Sequence, residues 1–494
     1  MPPQNMPQMH HFIPRFILRT FATEDQPPAA PSKSQDERNR SRKARKPKRD
    51  FLVNKLDLDQ ATLTQRPVST EYALPDMYRD PGFDANPNHL EKKLAKLEGQ
   101  ASIILQQARD AFSKKMTLEL KRSEKDTLRK FLFMMKYRNA GFFDRYDHDR
   151  MDDYDADDQS AMMEYMDRKG FTKPRDVWFD NLRGLLDCNM DAEGVWMENI
   201  HAQIYPYDAK MFILYIQGSF MAFCEPESCD EEFVLTKNAY NIFEGPSSPT
   251  LDILSGNVTP RTYTEYHNFA PVSPRLIIVL QNNFLRPPAS DEVPPWVRET
   301  WEAIGSEIRT RHAAGSILQD IPIHRSEASY ITASDRNWKP NGDDIFGFRC
   351  FQLPTTHVSI INNLFLEEAY TTSSIVYHSA TFFRTSLERY LQDKTPGMKS
   401  VVDHPLEKRQ PYLMTLSKIV RDLGGTAKCH FVLNPLKYEI HMADEIHMAE
   451  HVALEVGIQL LQKEADGTTL LPWVYLLLKQ GKLRHLGVRY KAES

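Results

Sequence analysis

The spacing of apolar residues changes along the chain, and this change determines the predicted fold class. Between residues 88 and 224, apolar side chains recur every three or four positions, as they do on helices with one buried face. After residue 230 the apolar segments become short, β-branched or aromatic, and bounded by Pro, Gly or Asn, which is typical of strands. We therefore expect an α+β fold. It has a helix-rich N-terminal half, a mainly antiparallel sheet from the middle of the chain, and a helical C-terminal extension.

Individual elements follow from the same patterns. Helices are predicted over 88–112, over a segment opened by a Ser123/Asp126 capping box, over 159–169, 176–188, 193–205, 208–224 and 296–312, and after an N-cap near Thr356. A hairpin is predicted over 51–69, and strands over 233–236, 240–243, 263–269, 276–281 and 346–352. The predicted units are an N-terminal segment docked on the core (1–23), a basic flexible linker (24–50), a core domain (51–390) and the helical extension (391–494).

Positive charge is concentrated near the start of the chain. Residues 1–50 contain eleven Lys or Arg and five Asp or Glu, whereas the whole chain carries a net charge of −5. Eight of the twelve residues from Arg38 to Arg49 are basic, and none is aromatic. Such a run repels itself and does not fold alone, so we interpret it as a solvated linker. The alternatives are a nuclear import signal or a weak nucleic-acid contact through phosphates.

Composition favours a reducing compartment. The five cysteines are few and never spaced Cys-x-x-Cys, which argues against a disulfide framework and a structural zinc site. The longest apolar stretch, 211–224, has 14 residues, and a membrane-spanning helix needs roughly 20. We expect a cytoplasmic or nuclear protein that does not contact a membrane. The residues before Glu24 include Arg but no acidic residue, which is typical of a mitochondrial transit peptide. A transit peptide is therefore an alternative, although Pro14 would interrupt its helix.

The opening segment also carries a motif. In HHFIPRFILRTFA at 10–22, a His is followed by a Pro three residues later and by an aromatic-x-Leu-Arg-x-Phe string. The residues that carry the motif are His11, Pro14, Phe16, Leu18, Arg19 and Phe21. With later strings such as YALPDMYRD, DTLRKFLFMMKYRNAGF and FRCFQLPTTHVSIINNLFLEEA, the chain resembles the domain-of-unknown-function (DUF) 4238 family in its filamentous-fungal branch, over roughly residues 10–380. The resemblance implies no established activity, substrate or cofactor. It implies that the first 23 residues belong to the domain.

His11 is the first candidate for a functional residue. It is suited to the role of general base or metal ligand if a carboxylate such as Glu91 or Glu98 approaches it. The alternative is a structural His whose ring binds backbone groups while neighbouring Phe side chains anchor the segment. Asn238 is a further candidate, because many bacterial relatives in the resembling family carry Ser-Asp-Asn where this chain has Thr236-Lys237-Asn238. Lys237 stands where those relatives carry Asp, so any chemistry that depends on that Asp is in doubt for this chain.

Two other motifs have simpler explanations. Asp153, Asp155 and Asp157 imitate a calcium loop, but Asp158 occupies the position where the sharp turn needs Gly, so an acidic helix start is favoured. His447, Glu450 and His451 fit the zinc-peptidase string His-x-x-Glu-His. This string belongs to a local echo, EIHMAD followed by EIHMAE, which favours a duplication on an exposed helix over a zinc site.

Two functions remain open at this point. The first is a non-catalytic interaction or scaffold protein, with a protein partner, because no complete catalytic constellation is found. The second is a metal-dependent hydrolase of the phosphodiesterase or nuclease type, using His11 with Glu91 or Glu98 and with Asn238 nearby. The surroundings of His11 separate the two, because the hydrolase requires a carboxylate close to the ring. The identity of any metal or cofactor is unknown from the sequence.

Overall fold

A computed structural model describes most of the chain. The described residues are 7–23, 50–80, 86–245 without Asp155 and Asp157, 247–251, 258–262, 265–283, 285, 316–329, 340–395, 398–402 and 408–434 without residue 427. Several predictions lie outside them, namely the basic run 38–49, the helix 296–312, two acidic residues of the calcium-like loop (Asp155 and Asp157) and the string with His447, Glu450 and His451.

Helices dominate the first half of the described chain. They are α1 (Arg15–Phe21), α2 (His89–Ser113), α3 (Arg122–Tyr137), α4 (Ala140–Tyr146), α5 (Gln159–Lys169), α6 (Pro174–Asp187), α7 (Trp196–Gln203), α8 (Pro206–Gln217), α9 (Thr355–Glu368), α10 (Ala380–Gln392) and α11 (Arg409–Asp422). The long helix α2 buries a stripe of Leu, Ile and Ala side chains that begins at Leu90 and ends at Phe112. This is the stripe that the spacing of apolar residues predicts.

Strands occur at the start of the chain, once between α2 and α3, and again after α8. They are β1 (Met9–His11), β2 (Ala22–Thr23), β3 (Leu52–Asp57), β4 (Thr62–Pro67), β5 (Ala73–Pro75), β6 (Leu118–Lys121), β7 (Ser219–Pro226), β8 (Leu235–Thr236), β9 (Phe243–Glu244), β10 (Ser247–Leu251), β11 (Val258–Thr262), β12 (His267–Ser273), β13 (Leu276–Asn282), β14 (Glu327–Ser329), β15 (Ile345–Phe348), β16 (Cys350–Leu353), β17 (Ser374–Tyr377), β18 (Ser400–Val402) and β19 (Val432–Asn434).

The strands form several small sheets rather than one large one. A five-stranded sheet has the order β16-β7-β13-β12-β9, and a second joins β2, β3, β4, β17 and β8. The pairings are mainly antiparallel, with β7–β16 and β18–β19 parallel. Helix-rich and sheet-rich parts share one hydrophobic core. The α+β class is therefore confirmed, and so is the hairpin, which β3 and β4 form with Asp57 opposite Thr62.

The N-terminal segment is part of this core. Strand β1 pairs with β5, and β2 pairs with β3. Between them, α1 buries Ile17, Leu18 and Phe21 completely. The hydroxyl of Thr20 donates to the Val272 carbonyl at 3.1 Å and so joins α1 to β12. Residues 9–23 are thus held by strand pairing as well as by apolar contacts.

The chain beyond α9 packs on the same body. Glu367, near the end of α9, accepts hydrogen bonds from the Tyr390 hydroxyl at 2.7 Å and from the Lys399 backbone N–H. Arg409 forms an ion pair with the same carboxylate at 3.2 Å. In α11, the Tyr412 hydroxyl donates to the Leu366 carbonyl at 2.6 Å. Residues 390–412 therefore neutralise and bury the end of α9.

Three predicted segments were wrong in detail. The helix predicted over 208–224 ends at Gln217, and 219–226 is strand β7. Gly218 sits at the break, where a Cβ would lie 2.6 Å from the Leu214 carbonyl oxygen. The strand predicted over 240–243 is mostly a 3-10 turn at Ala239–Asn241. The strand predicted over 346–352 is two strands, β15 and β16, which belong to different sheets.

Two predicted helix starts were also displaced. Helix α3 begins at Arg122, and the Glu124 carboxylate, not Asp126, accepts the hydrogen bond from the N-cap N–H of Lys121 at 2.9 Å. Helix α9 begins at Thr355 after Pro354, whose fixed φ favours the first turn. The helical C-terminal extension contains α11 but also β18 and β19, and residues 435–494 lie outside the described part.

Candidate functional site

His11 lies at the end of β1 and is half-buried. Its ring atom Nε2 is 3.1 Å from the Val68 carbonyl oxygen. A carbonyl only accepts hydrogen bonds, so Nε2 carries the proton and Nδ1 retains a lone pair in the neutral ring. Burial lowers the pKa of His11, whereas the Val68 carbonyl and the Glu98 carboxylate act in the opposite direction. The ring is therefore held neutral with a basic Nδ1.

Arg138 is the charged group at the centre of this region. It follows α3 directly, and its side chain is only 1% exposed. Its Nη1 is 2.7 Å from Oε1 of Glu98, whose side chain is 26% exposed. Burial alone would lower the pKa of Arg138, but Glu98, Tyr78 and Glu91 together outweigh it, and the pKa lies above its ordinary value. The pair is thus a buried cation held by a carboxylate that reaches the surface.

Glu91 and Tyr78 complete the group. Glu91 precedes Glu98 by two turns on α2, and burial together with the charge of Glu98 raises its pKa, against the influence of Arg138. Tyr78 is fully buried, and its hydroxyl donates to the His11 carbonyl at 3.4 Å. Burial raises the pKa of Tyr78, and the charge of Arg138 opposes this. We call His11, Tyr78, Glu91, Glu98 and Arg138 the Arg138 cluster.

The cluster joins four parts of the chain. Strand β1 supplies His11, the turn after β5 supplies Tyr78, α2 supplies both glutamates and the end of α3 supplies Arg138. Of the residues that the sequence singled out, Glu98 interacts electrostatically with both His11 and Glu91. Sequence reasoning missed Arg138 and Tyr78. Arg138 lies within an unbroken run of buried residues from Leu128 to Ala140, and a charged residue inside a largely apolar run was the available signal.

Asn238 contacts a different element. It precedes the 3-10 turn, and its side-chain amide donates to the Glu368 carbonyl at the end of α9, at 3.2 Å. Its side-chain oxygen is buried without a hydrogen-bond partner. The preceding residue, Lys237, accepts a hydrogen bond from the Asn139 side chain at 3.0 Å. The string 236–238 thus links α9 to the start of α4, where Asn139 is the N-cap.

Glu368 should make the stability of this region depend on pH. Burial raises its pKa from 4.5 to about 7, against the influence of Arg409. A carboxyl group with a raised pKa binds its proton more tightly in the folded state. The stability that the protonated Glu368 carboxyl contributes is therefore fully present below pH 4.5 and is lost as the pH rises through about 7.

We expect Glu368→Gln, which imitates the protonated carboxyl, to be about 1–3 kcal/mol more stable than the wild type near pH ~8. Near pH 4.5 the two proteins should have equal stability. Urea unfolding at both pH values measures the difference. A stability difference that does not change with pH would contradict the raised pKa.

The described residues offer no obvious metal centre. Among them, no three His, Cys, Asp or Glu side chains lie close enough to hold a metal ion, so His11, Glu91 and Glu98 do not form such a set. The cysteines are free, and Cys224 is buried.

Across the helices that the structure describes, none has the length and apolar character needed to cross a membrane.

Comparison with known families identifies the chain's relatives. The model of the family described as "Protein of unknown function (DUF4238)" matches residues 9–381. The chain belongs to this family. No curated protein and no solved structure matches it. The DUF4238 match begins at the first residue of β1 and so includes His11 and the rest of the Arg138 cluster. It ends within α10, before Lys399 and Arg409.

Proposed function

We propose that this DUF4238 protein is a hydrolase that works by general acid–base catalysis at the Arg138 cluster. The observation that carries the proposal is the convergence of a half-buried His and two carboxylates of one helix on a buried guanidinium. Groups that can donate and accept protons side by side are what acid–base chemistry requires. Two carboxylates in unlike surroundings are a recurring form of this arrangement.

The surroundings suggest a separate role for each group. His11 has Nε2 occupied by Val68, so Nδ1 is the atom that would accept a proton from water. Glu91, whose pKa is raised, would donate a proton to the leaving group. Glu98 forms an ion pair with Arg138 and would position the guanidinium. The hypothesis of metal dependence finds no three-ligand set within the described residues, so the proposal rests on the side chains themselves.

His11→Gln tests the proposal with little disturbance of the fold. A Gln amide can still donate a hydrogen bond to the Val68 carbonyl but supplies no base. We expect wild-type protein to hydrolyse a chromogenic phosphodiester or carboxylic ester in the presence of EDTA. We expect kcat/KM to fall about 10²–10⁴-fold in His11→Gln and in Glu91→Gln. The thermal midpoint of His11→Gln should stay within about 2 °C of wild type, because the hydrogen bond is kept.

Two outcomes would contradict the hydrolase proposal. One is the absence of turnover with phosphodiester, phosphomonoester and carboxylic ester substrates. The other is turnover that both variants retain. Lys92→Gln, an exposed neighbour of Glu91 on α2, serves as the control and should keep full activity.

The second candidate is a non-catalytic interaction or scaffold protein. It is supported by the bond from His11 to Val68 and by the burial of Phe12 and Phe21, because a purely structural role of the signature would need these contacts. On this hypothesis His11→Ala lowers stability while His11→Gln behaves as wild type in every assay. The compartment, cytoplasmic or nuclear, remains a prediction from composition.

A further inference from the structure

Arg138 has more hydrogen-bond donors than the protein satisfies. A guanidinium carries five N–H groups in a planar fork. Here Nη2 meets the thioether sulfur of Met135 at 3.2 Å, which is a weak acceptor, and Nε has no hydrogen-bond partner although it is buried. Nη1 approaches Glu98 at 2.7 Å, yet the contact lacks the alignment of a hydrogen bond. Buried donors without acceptors are rare, and each one costs stability.

We propose that Arg138 binds an oxyanion of a ligand, a carboxylate or a phosphate group, in exchange for Glu98. An oxyanion can accept two parallel hydrogen bonds from the guanidinium fork, which the single contact with Glu98 does not provide. The ligand is the substrate, and in this respect the inference rests on the proposed function. The substrate class is then a small molecule or chain end that carries a negative charge next to the bond to be hydrolysed.

The exposure of the two partners supports an exchange. Arg138 is fixed in the interior, whereas Glu98 lies on the outer part of α2 with 26% of its side chain exposed. Rotation of Glu98 toward solvent leaves a buried cation, and an incoming anion restores the balance of charge. Arg15, whose side chain is 45% exposed, adds positive charge beside His11. Arg15, which also pairs with Asp50 at 3.7 Å, is thus a second positive group in this region.

Glu98→Gln separates an anion site from a structural ion pair. Removing the carboxylate should lower the thermal midpoint in chloride, because Arg138 loses its counter-ion. In calorimetric titrations of the full chain at constant ionic strength, inorganic phosphate should bind Glu98→Gln at least tenfold more tightly than wild type. Phosphate should also restore part of the lost thermal midpoint. Acetate in place of phosphate tests whether the preferred oxyanion is a carboxylate.

Two further variants keep the test decisive. Asp187→Asn removes the carboxylate from the surface pair of Asp187 with Lys93, and its response to phosphate should equal that of wild type. If Glu98→Gln does not fold, Glu98→Asp retains the charge on a shorter side chain and should show a smaller gain in affinity. Equal phosphate and acetate binding by wild type and both Glu98 variants would overturn the inference.

The inference and the proposed function can fail separately. Anion binding that strengthens in Glu98→Gln, without hydrolysis of any ester, would leave Arg138 as a ligand site and remove the hydrolase. Hydrolysis that depends on His11, without a gain in anion affinity in Glu98→Gln, would leave the hydrolase and remove the oxyanion site.

Discussion

Phe12→Ala is expected to lower the free energy of unfolding by about 3–5 kcal/mol. The Phe12 ring is 1% exposed and lies 5.9 Å from the ring of Tyr72. The Phe12 N–H donates to the Tyr72 carbonyl at 3.1 Å, so the backbone around the ring is fixed and cannot collapse easily into the cavity. Urea unfolding monitored by tryptophan fluorescence measures the loss.

A variant of a neighbouring residue provides the control for Phe12→Ala. Met9 lies three residues earlier, at the start of β1, and is 44% exposed, so Met9→Ala should change stability by no more than about 0.5 kcal/mol. If Phe12→Ala were as mild as Met9→Ala, the N-terminal segment would not belong to the core. The result also bears on the transit-peptide alternative, because cleavage after residue 23 would remove Phe12, Ile17 and Phe21 from the interior.

Asp208→Ala should have an effect of similar size, about 3–5 kcal/mol. Asp208 is 1% exposed, and its Oδ2 accepts hydrogen bonds from the hydroxyls of Tyr137 and Tyr146, each at 2.6 Å, and from the Asn181 amide at 2.7 Å. The carboxylate thereby joins α3, α4 and α6 to α8. Without it, three buried donors lose their acceptor, and the penalty for unsatisfied groups adds to the lost bonds.

Removing one donor instead of the acceptor should give a smaller loss of stability. Tyr137→Phe leaves the carboxylate with Tyr146 and Asn181 and should cost about 1–2 kcal/mol. Chemical denaturation of both variants, with helix content followed by circular dichroism, measures the two values. Equal losses in Asp208→Ala and Tyr137→Phe would show that the carboxylate does not act as a shared acceptor.

The sequence predicts local features of this fold well. Helix α2 and the β3–β4 hairpin were predictable because each depends on a repeat that is visible within a short window. The prediction of one helix over 208–224 was wrong because a continuously apolar run fits a buried helix and a buried strand equally well. The strand conformation of β7 is favoured only by its pairing with β13, which lies 50 or more residues later in the chain.

The candidate site was predictable only in part. His11 stood out because it belongs to the opening motif, and Glu91 and Glu98 were named only as carboxylates that could approach it. Nothing in the spacing indicated that β1 and α2 would meet. Arg138 was missed because a basic residue at a helix end normally faces water, where it favours the helix dipole. Its burial follows from packing against Tyr78 and α2, which one sequence does not reveal.

The packing of residues 390–412 on α9 bears on how a fragment of this protein should be cut. The family match stops at residue 381, inside α10. A fragment trimmed to that boundary would sever α10 near its start and strip Glu367 of Tyr390, Lys399 and Arg409 together. An acidic group would then face the apolar interior alone. We therefore expect the autonomous folding unit to extend beyond the family match and a suitable expression boundary to lie after α11.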